Sequence, residues 1–177
     1  MKTKLILAAA ACLLASCQEK APVDTAAPKA TAAPSAELSK VLATAPAGEA
    51  KAIHVVRTTV KPGDEITLTG RIMGSKKPFV EGRAAFIVGD PEVITPCNEM
   101  PGDECKTPWD ACCDSAEEKK TGIATIQIVG TDGKVLAEGV EGVGGLKNLA
   151  TVVVTGKVAP GSSADALILN ATALQVK

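Results

Sequence analysis

The chain has 177 residues, 19 Lys and Arg against 20 Asp and Glu, and a formal net charge of -1. That balance leaves no basic footprint for a polyanion. With two Phe, one Trp and no Tyr, core volume has to come from Val, Ile, Leu and Ala, a mix that favours strands wherever β-branched residues dominate.

The start reads Met-Lys-Thr-Lys, then an uncharged apolar run from Leu5 to Leu14, then Ala15-Ser16-Cys17. A cationic stretch, an apolar stretch and a small-residue cut site make residues 1–16 a signal peptide. The apolar run is too short for a membrane-spanning helix, which needs roughly 20 residues. Leu14-Ala15-Ser16-Cys17 resembles the lipobox of bacterial lipoproteins. The resemblance implies that the Cys17 thiol carries a diacylglycerol and that the chain is cut just before it. Gln18 stands where an aspartate would imply retention at the inner membrane, so the implied address is the cell envelope, anchored in the outer membrane and facing the periplasm. The membrane is then the first expected partner, and several acyl chains make such an anchor stable.

Residues 17–51 are rich in Ala, Pro, Thr, Lys and Glu without periodic apolar positions, as expected of a disordered tether. Ala36 to Leu42 has the composition for one short helix within it. The folded part is expected over 52–177.

Glu65 to Ile72 alternates, with Ile66, Leu68 and Ile72 on one face and Thr67, Thr69 and Arg71 on the other, the pattern of a half-buried strand. Arg83 to Asp90 alternates through Phe86 and Val88 and stops at the turn Asp90-Pro91. Ala124, Ile126 and Ile128 line a third strand, ending at Thr131-Asp132-Gly133-Lys134, with a return over Val135 to Ala137. Leu146 to Leu149 suits one helical turn. Thr151 to Val158 and Ala166 to Val176 read as fourth and fifth strands joined through Pro160-Gly161-Ser162-Ser163. Five strands without a long helical pattern point to an all-β domain, a small antiparallel barrel or sandwich.

Thr67-Leu68-Thr69-Gly70-Arg71-Ile72 is echoed by Val153-Val154-Thr155-Gly156-Lys157-Val158. Each is an alternating run broken by a glycine, which inside a strand marks a bulge or bend. With Phe86-Ile87-Val88-Gly89-Asp90 in second-strand position, the chain from Asp64 to Lys177 is similar to the OB-fold, in particular to anticodon-binding-type OB domains. The resemblance implies a five-stranded barrel binding ligands on the face of strands two and three and in the loops between strands one and two and between four and five. That places Arg71, Lys76, Lys77, Arg83 and the Pro160 to Asp165 loop near a binding surface. Nucleic acid is not the expected ligand, because single-strand binding needs exposed aromatics and a positive groove. The basic residues also suit a solvated edge that discourages sheet pairing.

Between strands two and three, residues 91–120 form an insertion holding Cys97, Cys105, Cys112 and Cys113, with Glu99, Asp103, Glu104, Asp110 and Asp114 close by. A long aperiodic loop is costly to order, and cysteines in an oxidising compartment supply cross-links. Two disulfides are expected. Neighbours Cys112 and Cys113 are ill placed to bond each other, so Cys97 and Cys105 take one each, in an order the sequence leaves open. The alternative is a thiolate site for zinc or copper on the same four cysteines, although the spacing follows no zinc-ribbon pattern. A redox role lacks the Cys-x-x-Cys pair that lowers a thiol pKa. Trp109 is expected to pack the insertion onto the barrel with its N–H on a carbonyl or carboxylate, or to serve as a partner hot spot. The run from Thr107 to Asp114 is similar to one in uncharacterised bacterial lipoproteins, which implies no activity. His54 is the only histidine and has no nucleophile at catalytic spacing. The expectation is a non-enzymatic envelope lipoprotein without cofactor, a tethered OB-like module presenting a disulfide-pinned acidic loop to an envelope protein or small ligand. Metal handling or redox chemistry on the cysteines is the alternative.

Overall fold

Five strands close into one ring in the order β1-β2-β3-β5-β4: β1 is Glu65–Arg71, β2 Ala85–Gly89, β3 Ile123–Gln127, β4 Thr151–Val158 and β5 Leu167–Val176. The computed structural model describes residues 33–102 and 104–177. The expected signal peptide, the expected lipidation residue Cys17, the expected tether as far as residue 32, and Asp103 lie outside them.

The chain is all-β with an OB-like barrel, as its pattern indicates, and most of the expected inward positions are buried, although in β1 Ile66 is only half-buried and Thr67, expected on the outer face, is buried with its hydroxyl beside that of Thr155. Leu68, Phe86, Val88, Ala124, Ile126, Val152 and Val154 are each no more than 1% exposed. The barrel is not wholly antiparallel. β3 runs parallel to β5, from Ala124 opposite Leu167 to Gln127 opposite Asn170, while the other four neighbour pairs are antiparallel. The reason is parity: five strands cannot alternate direction all the way round a closed ring, so one neighbouring pair must be parallel.

Glycine makes the closure possible at two places. At Gly156 the β4–β5 register shifts by a bulge, and a Cβ there would lie 2.3 Å from the Asn170 carbonyl oxygen. Gly70 sits where β1 passes from β4 to β2, with the Gly89 carbonyl 3.1 Å from where its Cβ would be. A side chain at either would push two backbones apart.

The folded unit begins earlier than residue 52. Ala36–Ala43 forms helix α1, capped where the Ser35 hydroxyl accepts the Leu38 N–H. The Ser35 N–H donates to Glu138 at 3.0 Å. Leu38 is fully buried in the main core and Val41 is 8% exposed, so this stretch is part of the domain and not of the tether. Ile53–Arg57 forms a second short helix, α2, burying Ile53 and Val56. The helical turn expected at Leu146 to Leu149 lies instead at Val143–Gly145 as a 3₁₀ turn, because Leu149 takes a left-handed φ of 65° to donate its N–H to Ile72. Among the described residues no helix is long and apolar enough to cross a membrane.

Leu38→Ala is expected to lower unfolding free energy by about 2–5 kcal/mol in urea denaturation, as for a buried core leucine; a value near zero would return α1 to the tether. Gly156→Ala is expected to cost about 1–3 kcal/mol through overpacking. Gly139→Ala, where a Cβ meets nothing within 4 Å, should leave the midpoint unchanged.

Candidate functional site

The insertion between β2 and β3 starts from the Asp90 turn, where the Asp90 carbonyl accepts the Val93 and Ile94 N–H groups. The side chain of Ile94 then enters a small second core with Met73 and Ala111, flanked by Val93, Trp109, Ile123 and Leu149. The insertion is thus not coreless: it borrows Met73, which follows β1, and Ile123, which opens β3. It ends in helix α3, Ala116–Gly122, started by a reciprocal capping box between Ser115 and Glu118.

Three hydrogen bonds, two of them backbone to backbone, lay residues 95–98 alongside 107–114. The Thr95 N–H donates to the Asp114 carboxylate at 2.9 Å, Cys97 N–H to the Asp110 carbonyl at 2.8 Å, and Asn98 N–H to the Pro108 carbonyl at 3.0 Å. That pairing sets Cys97 beside Cys112, with Sγ atoms 3.4 Å apart. Cys105 joins them, so that the Sγ atoms of Cys97, Cys105 and Cys112 all lie within 4.8 Å of one another. Cys113 Sγ is 3.7 Å from Cys112 Sγ but stands outside that triad. Cys97 is buried, Cys105 partly so, and Cys112 and Cys113 are exposed. A disulfide needs about 2.05 Å. The sulfurs lie near one another, three of them in one group, but neither of the two expected disulfides joins them among the described residues. Chemically the triad has two options: oxidation of one pair, or shared ligation of a soft cation by three thiolates.

The insertion also engages both loops through which an OB-like barrel would take a ligand. Trp109 packs as expected, its indole N–H donating to the Lys76 carbonyl at 3.1 Å, while the Trp109 carbonyl accepts the Gly74 N–H at 2.9 Å. Arg71 pairs with Glu99, so its guanidinium serves the insertion and is not an unengaged binding group. Lys76, Lys77 and Arg83 are exposed, and Lys76 meets the insertion through its carbonyl. At the other end, Lys120 of α3 pairs with Asp165 of the β4–β5 loop at 2.7 Å. Arg57 donates from Nε to the Thr121 carbonyl at 3.1 Å and also to the Ile123 carbonyl. Burial pushes the Arg57 guanidinium below its ordinary value, with nearby Asp165 opposing that.

Residues that the sequence pattern did not single out hold this arrangement. Asp90 is 1% exposed and accepts from the His54 N–H at 3.0 Å and from Glu92 N–H at 3.0 Å, with His54 Nδ1 at 2.8 Å. The one histidine is thereby the clip between α2 and the end of β2. The Asp90-Pro91 turn pointed to Asp90, but nothing in the sequence paired it with a residue so distant in the chain. An open groove of about 570 Å³ lies at the N-terminal half of β1, lined by Glu49, Lys51, Val55, Val60, Glu65 and Ile66 among others. It contains no residue of the cysteine triad.

No family model, curated protein or solved structure matches the chain. The site is therefore read from its own chemistry.

Lys120 holds the Asp165 carboxyl below the ordinary aspartate range by hydrogen bond and by charge. A carboxyl whose folded pKa is depressed contributes stability above its unfolded pKa and loses it as pH falls through the folded one. NMR titration of Asp165 should accordingly give a midpoint below that of a free aspartate, moving up in Lys120→Ala. A midpoint indifferent to that substitution would remove the bridge from the account of how α3 is held.

Proposed function

We propose that the chain is a non-enzymatic, lipid-anchored envelope protein in which the OB-like barrel is a platform and the cysteine-bearing insertion is the working surface. The supporting observation is that the insertion is ordered against the barrel by its own small core and by bonds to both loops flanking the OB ligand face. An ordered excursion of this length, with exposed Glu92, Glu99, Glu104 and Glu117 along it, suits recognition of an envelope protein or a small ligand. Preorganisation of that kind lowers the entropy lost on binding.

The leader supports the anchor. With α1 in the domain, the stretch left as tether ends before Ser35 and is shorter than the sequence suggests.

The sulfurs pin the tip of the insertion in this reading, and they have two ways to do so. A Cys97–Cys112 disulfide needs only that pair to close from 3.4 Å, and an oxidising envelope favours it. A shared metal ion is the second reading, favoured by the arrival of Cys105 at the same point.

Growth with a clickable fatty acid should label the chain and place it in the membrane fraction, and Cys17→Ser should abolish both. Unlabelled wild-type protein would end the anchored reading. For recognition, the double variant Glu92→Lys with Glu104→Lys, both exposed, should lose the envelope cross-links formed by the wild type while keeping its unfolding midpoint; unchanged cross-links would remove the insertion as the working surface.

A further inference from the structure

We infer that Cys97, Cys105 and Cys112 form a three-sulfur site for a soft d10 cation, with copper(I) the ion it fits. The inference deepens the reading of the insertion as the working surface and does not depend on the lipid anchor.

The geometry is that of a shared ligand and not of a single cross-link. One disulfide uses two sulfurs, whereas here three come within 4.8 Å of one another, and Cys113, which a second disulfide would have to use, is outside that group. Around one ion at about 2.3 Å from each sulfur, three coplanar sulfurs stand about 4 Å apart. The 3.4 Å of Cys97 to Cys112 and the 4.8 Å bound on the remaining pairs bracket that spacing, so side-chain adjustments of under about 1 Å would complete the site.

The surroundings are preformed. Cys97 is buried and fixed by its N–H on the Asp110 carbonyl, and its partner segment is tied by Thr95 to Asp114. Burial falls from Cys97 through Cys105 to Cys112, which gives the ion an entry from the solvent side and a dry inner ligand.

The donor set selects the ion. Structural zinc takes four ligands, and the fourth sulfur, Cys113, approaches Cys112 but is not in the triad. The one histidine is engaged by Asp90. Among the described residues no His, Asp or Glu joins the three sulfurs, and a set of three thiolates suits copper(I). On binding, three copper–sulfur bonds form, each ligating thiol gives its proton to solvent, and no electron changes hands.

The test uses the full chain, reduced and kept under inert gas, titrated against copper(I) held by a chromophoric chelator. One copper(I) per chain should leave the chelator, and the protein should gain the luminescence of a copper–thiolate centre. Cys105→Ser and Cys112→Ser should each weaken binding by more than about 100-fold, beyond the loss from an outer hydrogen-bond partner. Both residues reach solvent, so an unchanged unfolding midpoint of the metal-free variants separates lost binding from lost fold. Cys113→Ser should bind copper(I) as the parent does.

Three outcomes overturn the inference. Copper(I) could stay with the chelator. Cys113→Ser could fail as badly as Cys105→Ser, which would make the site a four-sulfur one. Or chain isolated from cells, alkylated without reduction and weighed intact, could lack two hydrogens at a Cys97–Cys112 linkage and carry no metal. Any of these leaves the fatty-acid labelling result standing, so failure of the metal site is distinguishable from failure of the envelope reading.

Discussion

Closing an odd number of strands into a ring constrains this molecule more than any single contact. Because direction cannot alternate around five strands, β3 and β5 must run parallel, and the chain leaving β3 has to cross before β4 can begin. The segment from Gly130 to Ala150 makes that crossing. On the way it supplies Leu136, whose carbonyl accepts the Ala84 N–H, and Glu138, which holds Ser35. Tight closure also demands that backbones approach where a Cβ would intrude, and Gly156, packed against the Asn170 carbonyl, meets that demand. The capping helix α1 follows as a consequence, since Leu38 and Val41 complete the core that the strands enclose.

The insertion depends on the same closure. It leaves from Asp90 at the end of β2 and re-enters at Ile123, two points held opposite each other by the Gly89 to Ile123 register. Its ends are therefore close together, which lowers the entropy lost in ordering what lies between them. Ile94 and Ala111 can then pack on Met73 in a second small core, and the Cys97 and Cys112 strands are brought side by side by hydrogen bonds, independently of any sulfur chemistry. The sulfur triad is a product of that pairing. Its chemistry adds to an excursion already shaped by hydrogen bonds and burial.

Polar groups do much of the fastening at the barrel's end. Asp90 is taken out of water with its carboxylate facing the two His54 nitrogens and the Glu92 N–H, which meets the requirement that buried charge be hydrogen-bonded. Arg57 spans from α2 to the carbonyls at the end of α3 and the start of β3. Together they tie α2, the insertion and the β4–β5 loop to one another. The groups expected from the OB resemblance to face a ligand are partly engaged by the chain itself: Arg71 with Glu99, Asp165 with Lys120.

Much of the barrel was legible in the sequence because its signals are local. Alternation at Leu68, Phe86, Val88, Ile126 and Val154 reports a face, and glycine before Arg71 and Lys157 reports a bend, both set by backbone geometry within a few residues. The cysteine-rich run marked where sulfurs would lie near one another, though not as the two disulfides expected of it, and Trp109 beside Pro108 pointed to the packing anchor. What the tertiary structure alone decided are the relations between distant segments: the parallel β3–β5 pair, the burial of Leu38 in a stretch whose composition reads as linker, the meeting of His54 with Asp90, and the choice of Cys97, Cys105 and Cys112 as the converging three. Each of these depends on where closure of the ring brings residues far apart in sequence, and a pattern read along the chain carries no information about that until the ring is formed.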